Sequence, residues 1–462
     1  MCVGLRALSR AARSRRSDGR QGAPDDQAIA LIRQLAEKGF QQSGPAPEEK
    51  GAPKLSTPTS GTDLIAGRYD EEFREVADVF RKQIAGTDGG ASVAVYHRGR
   101  LVVDMWGGLR TPHGDPWGRD TLAMCWSTTK GVTATCAHVL ADRGDLDYDE
   151  RVATYWPEFA QNGKADITVR QVLSHSAGLH RLGTIIDHGS KILDWEHMTD
   201  ALARATPAYE PGTSVGYHAL TFGWLVGELV RRISGISLDE FLRKEIAEPL
   251  GLDGLYIGCP PEQRHRMAPL APMLPPAFTG WIGPLGPVGR FALNQVSLGL
   301  RALGSPINPH RMLNAALSRG IEDVIVDPRL LDAAVPAMNG HFDAVSLGAM
   351  YAMLAGGGQL GGVRILSEET VRKASEIQND QRDRVIVMTM QWRLGYHRLP
   401  ILHKQFPRGY GHFGFGGSGA FADPGHDLAL AMVCNRGRGT PIGDLRILRL
   451  SQATARAVQS LG

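Results

Sequence analysis

The chain has 462 residues, 42% apolar and 21% charged, the balance of a soluble globular protein able to bury a large core. Its 51 basic and 48 acidic side chains leave a formal charge of +3, and no basic stripe interleaved with aromatics runs through the folded part, which argues against a nucleic-acid partner. Cys2, Cys125, Cys136, Cys259 and Cys434 form neither a C-x-x-C pair nor a zinc-ligand pattern, no H-E-x-x-H occurs, and no apolar run approaches a membrane span; a reduced, cytoplasmic setting with no structural metal is expected.

Residues 1–62 read as a disordered extension and linker. Arg6, Arg10, Arg13, Arg15, Arg16 and Arg20 stand against Asp18 alone, without the apolar core of a secretory signal. An organelle-targeting segment has the same composition, but disorder is the simpler reading. A short helix is predicted over 26–39, and 41–62 is rich in Pro, Gly, Ser and Glu. The folded domain, 63–462, begins near Leu64.

Phe73, Val76, Val79, Phe80 and Ile84 follow helical spacing and predict a first helix from Tyr69 to Ile84. Ser92–Tyr96 and Leu101–Trp106 flank His97-Arg98-Gly99-Arg100 and predict a hairpin. Next comes Cys125-Trp126-Ser127-Thr128-Thr129-Lys130-Gly131. Val132, Cys136, Val139 and Leu140 continue at helical spacing and Gly144 marks the stop, so Ser127 opens a helix that is apolar on one side. Residues three apart share a helix face, which brings the Lys130 amine within reach of the Ser127 hydroxyl. None of the other lysines has a serine three positions before it. A hydroxyl becomes a useful nucleophile when something takes its proton, and an amine kept neutral by burial can do so.

Downstream, Ile167 to Leu179 starts as a short helix and ends in a small-residue turn whose Ser and His side chains serve the loop backbone. Glu210 to Tyr217 is a turn that sets Tyr217 at the mouth of a helix, Leu220 to Ile233. A second helix starts at Ser237, with Glu240 completing a capping box, and stops at Pro249. The Pro- and Gly-rich tract from Pro260 to Gly289 reads as a long loop or lid, and its apolar content points to an acyl pocket over 260–300. Helices follow at Leu347–Leu354 and Ser367–Ile377, strands at Val385–Trp392, Gly414–Asp423 and Leu428–Asn435, and a last helix at Leu445–Val458. Strands thus gather at both ends of the domain with helices between. That order predicts an α/β (α+β) fold in which an antiparallel sheet is assembled from both chain ends, flanked by helices, and carries an inserted all-helical lobe and lid over roughly 130–345.

The order of motifs resembles that of the penicillin-recognising serine hydrolases: class C β-lactamases, D-Ala-D-Ala peptidases and, above all, the carboxylesterases built on the same β-lactamase/transpeptidase-like fold (the family VIII type). The likeness spans about 65–460. Ser127-Thr128-Thr129-Lys130 stands at the nucleophile motif, Gln171 to Leu179 resembles the Leu-x-His-x-x-Gly-Leu segment, and Tyr217-His218-Ala219 takes the place of Tyr-x-Asn. His412-Phe413-Gly414 sits where the family carries Lys-Thr-Gly.

The resemblance implies Ser127, Lys130 and Tyr217 as the catalytic set, converging from two distant helix starts. It also implies His412, Gly414 and Phe415 as substrate-side residues, with the Ser127 and Phe415 amides forming an oxyanion hole. Gly416-Gly417-Ser418 reads either as glycines that let backbone approach the substrate or as a turn into a strand. It requires no cofactor and no metal. Ala219 lacks the amide of the usual Asn, and His412 is a weaker, titratable cation than lysine. Both departures point to a small-molecule ester substrate and the carboxylesterase/lipase branch. β-Lactamase, D-amino-acid peptidase or transesterase activity on the same fold is the alternative, and an inactive scaffold the non-enzymatic one, although a decayed site would have lost Ser127, Lys130 or Tyr217 first. An α/β-hydrolase is disfavoured because no G-x-S-x-G is present; Ala344-Val345-Ser346-Leu347-Gly348 lacks the first glycine. Oligomeric state is not legible in the sequence.

Overall fold

In the computed structural model, residues 64–85, 87, 89–270, 295, 318–399, 402, 404–437 and 445–461 are described. The helix expected at 26–39 and most of the expected lid lie outside them.

Seven antiparallel strands make the main sheet. β1 (Ile65–Tyr69), β2 (Gly90–His97) and β3 (Arg100–Gly108) come from the start of the domain, while β8 (His397–Arg398), β9 (Tyr410–Phe413), β10 (Gly419–Asp423) and β11 (Leu428–Cys434) come from its end. Their order is β1-β3-β2-β11-β10-β9-β8, so the two chain ends meet where β2 pairs with β11. The β2–β3 hairpin turns on Arg98 and Gly99, both at positive φ (52° and 72°), the geometry that matches strand twist in a two-residue turn.

Both faces of this sheet are covered, and the strands show it at period two. Leu428, Leu430, Met432 and Cys434 of β11 belong to the core under α1 (Arg74–Ile84) and the C-terminal helix Leu445–Ser460. Ala429, Ala431 and Val433 belong to the core on the other face, with Ala94, Ala420 and Ala422. Small side chains there let the helix Ala344–Ala355 lie close against the strands. That helix is buried nearly all round, as expected of an element sandwiched between a sheet and a lobe.

The lobe is built on α2 (Thr129–Asp142), which is buried over its whole circumference from Thr129 to Leu140. One apolar side had been expected. The polar positions on the other sides are tolerated because each finds a partner: Thr133 Oγ1 donates to the Pro336 carbonyl, Thr135 Oγ1 to the Gly131 carbonyl, and His138 bridges Tyr148 Oη and the Leu394 carbonyl. Against α2 pack α5 (Thr221–Ser234) and α6 (Leu238–Leu242), and α3 (Val169–Leu173) and α4 (Trp195–Arg204) pack in turn on α5. A small second sheet, β5 (Leu255–Ile257), β7 (Gly340–Phe342), β4 (Leu122–Met124) and β6 (Met267–Ala268), ties the lobe to the strand that enters the nucleophile turn. No helix among the described residues is long and apolar enough to cross a membrane.

Four expectations are corrected. Tyr69 ends β1 rather than opening α1, because Ile65–Tyr69 pairs with β3. Ser237 forms no side-chain cap; Glu240 reaches forward to Lys244 instead (2.6 Å). A capping box does form at Thr168 and Gln171. Residues 414–418 are a turn, so the predicted strand at Gly414–Asp423 is the second arm of a β9–β10 hairpin. Val385–Trp392 is a loop closed by the Arg382–Thr389 bridge, since Asp383 takes the backbone donors that a neighbouring strand would have used.

Burial pushes the pKa of His138, His341 and His397 down to about 4. The unfolded chain binds these protons from about pH 6.5 downward while the folded chain binds them only near 4, so folding free energy is full above 6.5 and is lost through that window, by about 3 kcal/mol per histidine. Asp343, raised by burial to about 6, works in the opposite sense and offsets one of them. The thermal midpoint is expected to fall steadily from pH 6.5 to 4 in circular-dichroism melts; a constant midpoint would mean that the imidazoles are hydrated.

Candidate active site

Ser127 does not begin the α-helix itself. It lies in a 3-10 turn, Trp126–Thr128, that feeds α2. Trp126 before it holds a φ of 49°, unusual for a residue with a side chain and of the kind stored where surrounding structure over-determines the backbone. The surroundings are identifiable. Thr129 Oγ1 donates to the Trp126 carbonyl (2.6 Å) and accepts from the Gly340 amide (3.0 Å), Cys125 N–H donates to the Gly340 carbonyl (2.8 Å), and Thr128 Oγ1 donates to the Ser418 carbonyl (3.1 Å). The two threonines of Ser-Thr-Thr-Lys therefore pin the turn to both sheets.

Three heteroatoms converge on this turn. Lys130 Nζ lies 2.9 Å from Ser127 Oγ and donates to the Ala337 carbonyl at 3.0 Å. Tyr217 Oη lies 2.7 Å from Ser127 Oγ, although 90 residues separate the two in sequence. Lys130 is fully buried, and burial alone drives its pKa well below the ordinary lysine value. Burial also raises the Tyr217 phenol, Asp383 adds to the rise, and the Ser127 bond works against it. A neutral amine and a protonated phenol flanking one hydroxyl can withdraw a proton on one side and supply one on the other.

The predicted substrate-side residues sit at the end of β9 and in the turn that follows it, beside the nucleophile turn. A Cβ on Gly414 would lie 2.3 Å from the Cys125 carbonyl oxygen, so only glycine lets the end of β9 press against the chain entering the nucleophile turn. Phe415 meets the Trp126 ring edge-on (centroids 5.6 Å apart). Among the described residues, neither the Ser127 nor the Phe415 amide donates to a protein acceptor. His412 is 2% exposed, its centroid 6.3 Å from the Tyr217 ring and 4.7 Å from that of His397. Its Nδ1 faces the Phe413 carbonyl at 3.2 Å and its Nε2 has no partner among the described residues. The expectation of a titratable cation here is corrected. Burial holds the imidazole neutral.

His175, expected to serve the loop backbone, does so here, and His218, for which no role was expected, also accepts from a backbone amide. The His218 amide donates to His175 Nδ1 (3.2 Å) and the Leu179 amide to His218 Nε2 (3.0 Å). Three contributors were not foreseen: the Ala337 carbonyl, Asp383 and Trp392. Asp383 accepts from the Tyr217 amide, and the Trp392 ring stacks on that of Tyr217 with an interplanar angle of 6°. A backbone carbonyl leaves no trace in sequence. Trp392 ends the stretch that read as a strand, and Asp383 lies two residues before that stretch begins. Among the described residues no cluster of His, Cys, Asp and Glu is placed to hold a metal ion.

This chain belongs to the beta-lactamase family, whose profile matches residues 76–454. Its relatives include the esterase/beta-lactamase LipL of Mycobacterium tuberculosis, 38% identical over 376 residues that cover 80% of this chain and 83% of LipL. Among solved structures, a family VIII carboxylesterase superposes with a TM-score of 0.73 at 34% identity, covering 85% of this chain and 99% of that one. A penicillin-binding protein homologue from Caulobacter crescentus gives 0.72 at 33% identity, with the same coverage of both chains. The family, the fold and the kinship to esterases expected from the motifs are therefore established.

Replacing Gly414 by Ala forces the strand end away from Cys125. The expected cost is about 1–3 kcal/mol of stability in urea unfolding, together with slower labelling of Ser127 by a fluorophosphonate.

Proposed function

We propose that the protein is a serine carboxylesterase that cleaves small esters through an acyl-enzyme on Ser127. The observation that carries this reading is the pair of short contacts at Ser127 Oγ, 2.9 Å to a buried neutral amine and 2.7 Å to a phenol. Lys130 Nζ takes the Ser127 proton as Oγ attacks the ester carbonyl. The Ser127 and Phe415 amides receive the developing oxyanion, a contribution of about 3–4 kcal/mol per donor in such sites. Tyr217 gives its proton to the leaving alkoxide, and the proton held by the Lys130 ammonium restores the phenol. Water then attacks the acyl carbon as it gives a proton to the same pair, and that proton returns to Ser127 Oγ as the acyl–oxygen bond breaks and the carboxylic acid leaves.

An ester is favoured over a β-lactam by what the site lacks. A β-lactam carries a carboxylate that wants a fixed cation, and His412 offers a neutral ring. Ala219 offers no amide. The name of the carboxylesterase neighbour points the same way, while that of LipL pairs esterase with beta-lactamase. No step calls for a metal or cofactor.

Turnover of p-nitrophenyl butyrate is expected to exceed that of a chromogenic cephalosporin. Ser127→Ala should abolish it, and Tyr217→Phe should lower kcat about 100-fold, the lower end of the range for losing one acid-base group. Ester turnover surviving Ser127→Ala would end the proposal, and cephalosporin turnover above ester turnover would assign the lactamase branch.

The pH profile tests the base. Because burial lowers the Lys130 pKa, the amine is free at neutral pH, so kcat/KM should be level from pH 7 to 9 and decline only on the acid side. A rate that climbs toward pH 10 would indicate an ordinary lysine.

A further inference from the structure

Tyr217 supplies a phenol whose usefulness depends on where its oxygen stands, yet among the described residues the hydroxyl end is hydrogen-bonded to Ser127 alone. The fixing contacts lie behind it. Asp383 is 1% exposed and accepts four N–H bonds: Oδ1 from the amides of Tyr217 (3.2 Å), Val385 (2.7 Å) and Ile386 (2.9 Å), and Oδ2 from Trp392 Nε1 (3.0 Å). Burial raises the pKa of this carboxyl, and the four donors, each favouring the carboxylate, work against that rise. The Trp392 indole that Asp383 holds lies parallel to the Tyr217 ring, centroids 5.3 Å apart, and is itself 0% exposed. One carboxylate thus holds Tyr217 twice, once through its backbone and once through the plate against its ring.

The loop that carries Asp383 shows signs of being held for a purpose. Val387 has a φ of 65° and Gln391 a φ of 49°; a β-branched side chain at positive φ is a true outlier, kept only where other contacts insist. Those contacts come from Asp383 and its neighbour, since Val387 N–H donates to the Asp383 carbonyl, Asp383 N–H to the Met388 carbonyl, and Arg382 Nε to the Val387 carbonyl. Val215, Tyr217, Ala219, Val385, Met390 and Trp392 form a separate small apolar cluster around the tyrosine. The loop's packing is therefore directed at the phenol.

We propose that Asp383, acting through Trp392 and the Tyr217 amide, is the positioning residue that aims the Tyr217 hydroxyl at Ser127. Asp383 does not touch the reacting atoms. The inference rests on the esterase reading above, in which Tyr217 protonates the leaving group.

The replacement Asp383→Asn separates the two attachments. The Asn carbonyl can keep the three backbone donors, but its amide nitrogen then faces Trp392 Nε1–H, donor against donor, and the indole loses its hold. With p-nitrophenyl butyrate, D383N is expected to lower kcat at least about tenfold while KM moves less than about threefold, because the defect is in the transition state and not in ester binding. The decisive comparison is with Tyr217→Phe. If Asp383 acts through the phenol, adding D383N to Y217F should change kcat by less than about twofold, since nothing is left to aim. A merely structural role would lower kcat by the same factor in both backgrounds, and that result, or a D383N enzyme with unchanged kcat, overturns the proposal. Should D383N not fold, Trp392→Phe, which keeps an aromatic face and removes only the indole donor, serves in the same cycle with the same expected pattern. Wild-type turnover is the control that separates the two readings. If the wild type leaves the ester intact, the esterase reading fails, and the Asp383 cycle is then followed by the rate at which a fluorophosphonate labels Ser127.

Discussion

An amine without a counterion, sealed beneath a serine, is the constraint around which this molecule is built. Lys130 is fully buried and is bonded to a hydroxyl and a backbone carbonyl, with no carboxylate among its bonds. An ammonium in that place would carry a large desolvation cost, so the folded state selects the uncharged amine. Folding thereby performs the deprotonation that the chemistry needs. It succeeds only because α2 is buried on all sides, which in turn requires every polar group on it to be satisfied by the lobe, as Thr133, Thr135 and His138 are.

Sealing the amine also dictates how the end of β9 meets the lobe. The nucleophile turn is held from three directions: by Gly340 of β7 through Thr129, by the Ser418 carbonyl through Thr128, and by the Gly414 backbone against Cys125. None of these is strong alone, a neutral hydrogen bond contributing about 1 kcal/mol net. Together they hold Trp126 in a left-handed conformation. His175, at φ 61° beneath Tyr217, is a second residue held this way at the same site. Strain gathered beside a catalytic group marks positions where pre-organisation has taken precedence over local comfort.

Electrostatics then decides which chemistry this pre-organised site suits. Among the described residues, the side chains around Ser127 are a neutral lysine, a protonated tyrosine and neutral histidines, so the centre has dipoles to offer and no fixed positive charge. Such a site stabilises a charge that appears during reaction, such as an ester oxyanion, better than one the substrate already carries. Relatives sharing the fold carry esterase, β-lactamase and penicillin-binding names, which fits a scaffold whose selectivity lies in a few side chains beside the nucleophile turn.

The sequence by itself determined what is local or periodic. The β2–β3 hairpin, the helices α1 and α5, the run of alternating residues in β11 and the pairing of Ser127 with Lys130 all follow from spacing along a few turns of chain, where backbone geometry leaves little choice. Motif order extended this to Tyr217 and to the fold, because an ordered set of short patterns carries information that no single one does. Where local pattern misled, a tertiary contact had won: β1 took Tyr69 from a helix, and Asp383 turned an apolar strand-like run into a loop. Only the folded molecule decided the charges on Lys130 and His412 and the grip of Asp383 and Trp392 on the phenol. Protonation depends on how completely water is excluded, and aim depends on atoms brought together from stretches up to 166 residues apart; neither quantity is written in any window of sequence.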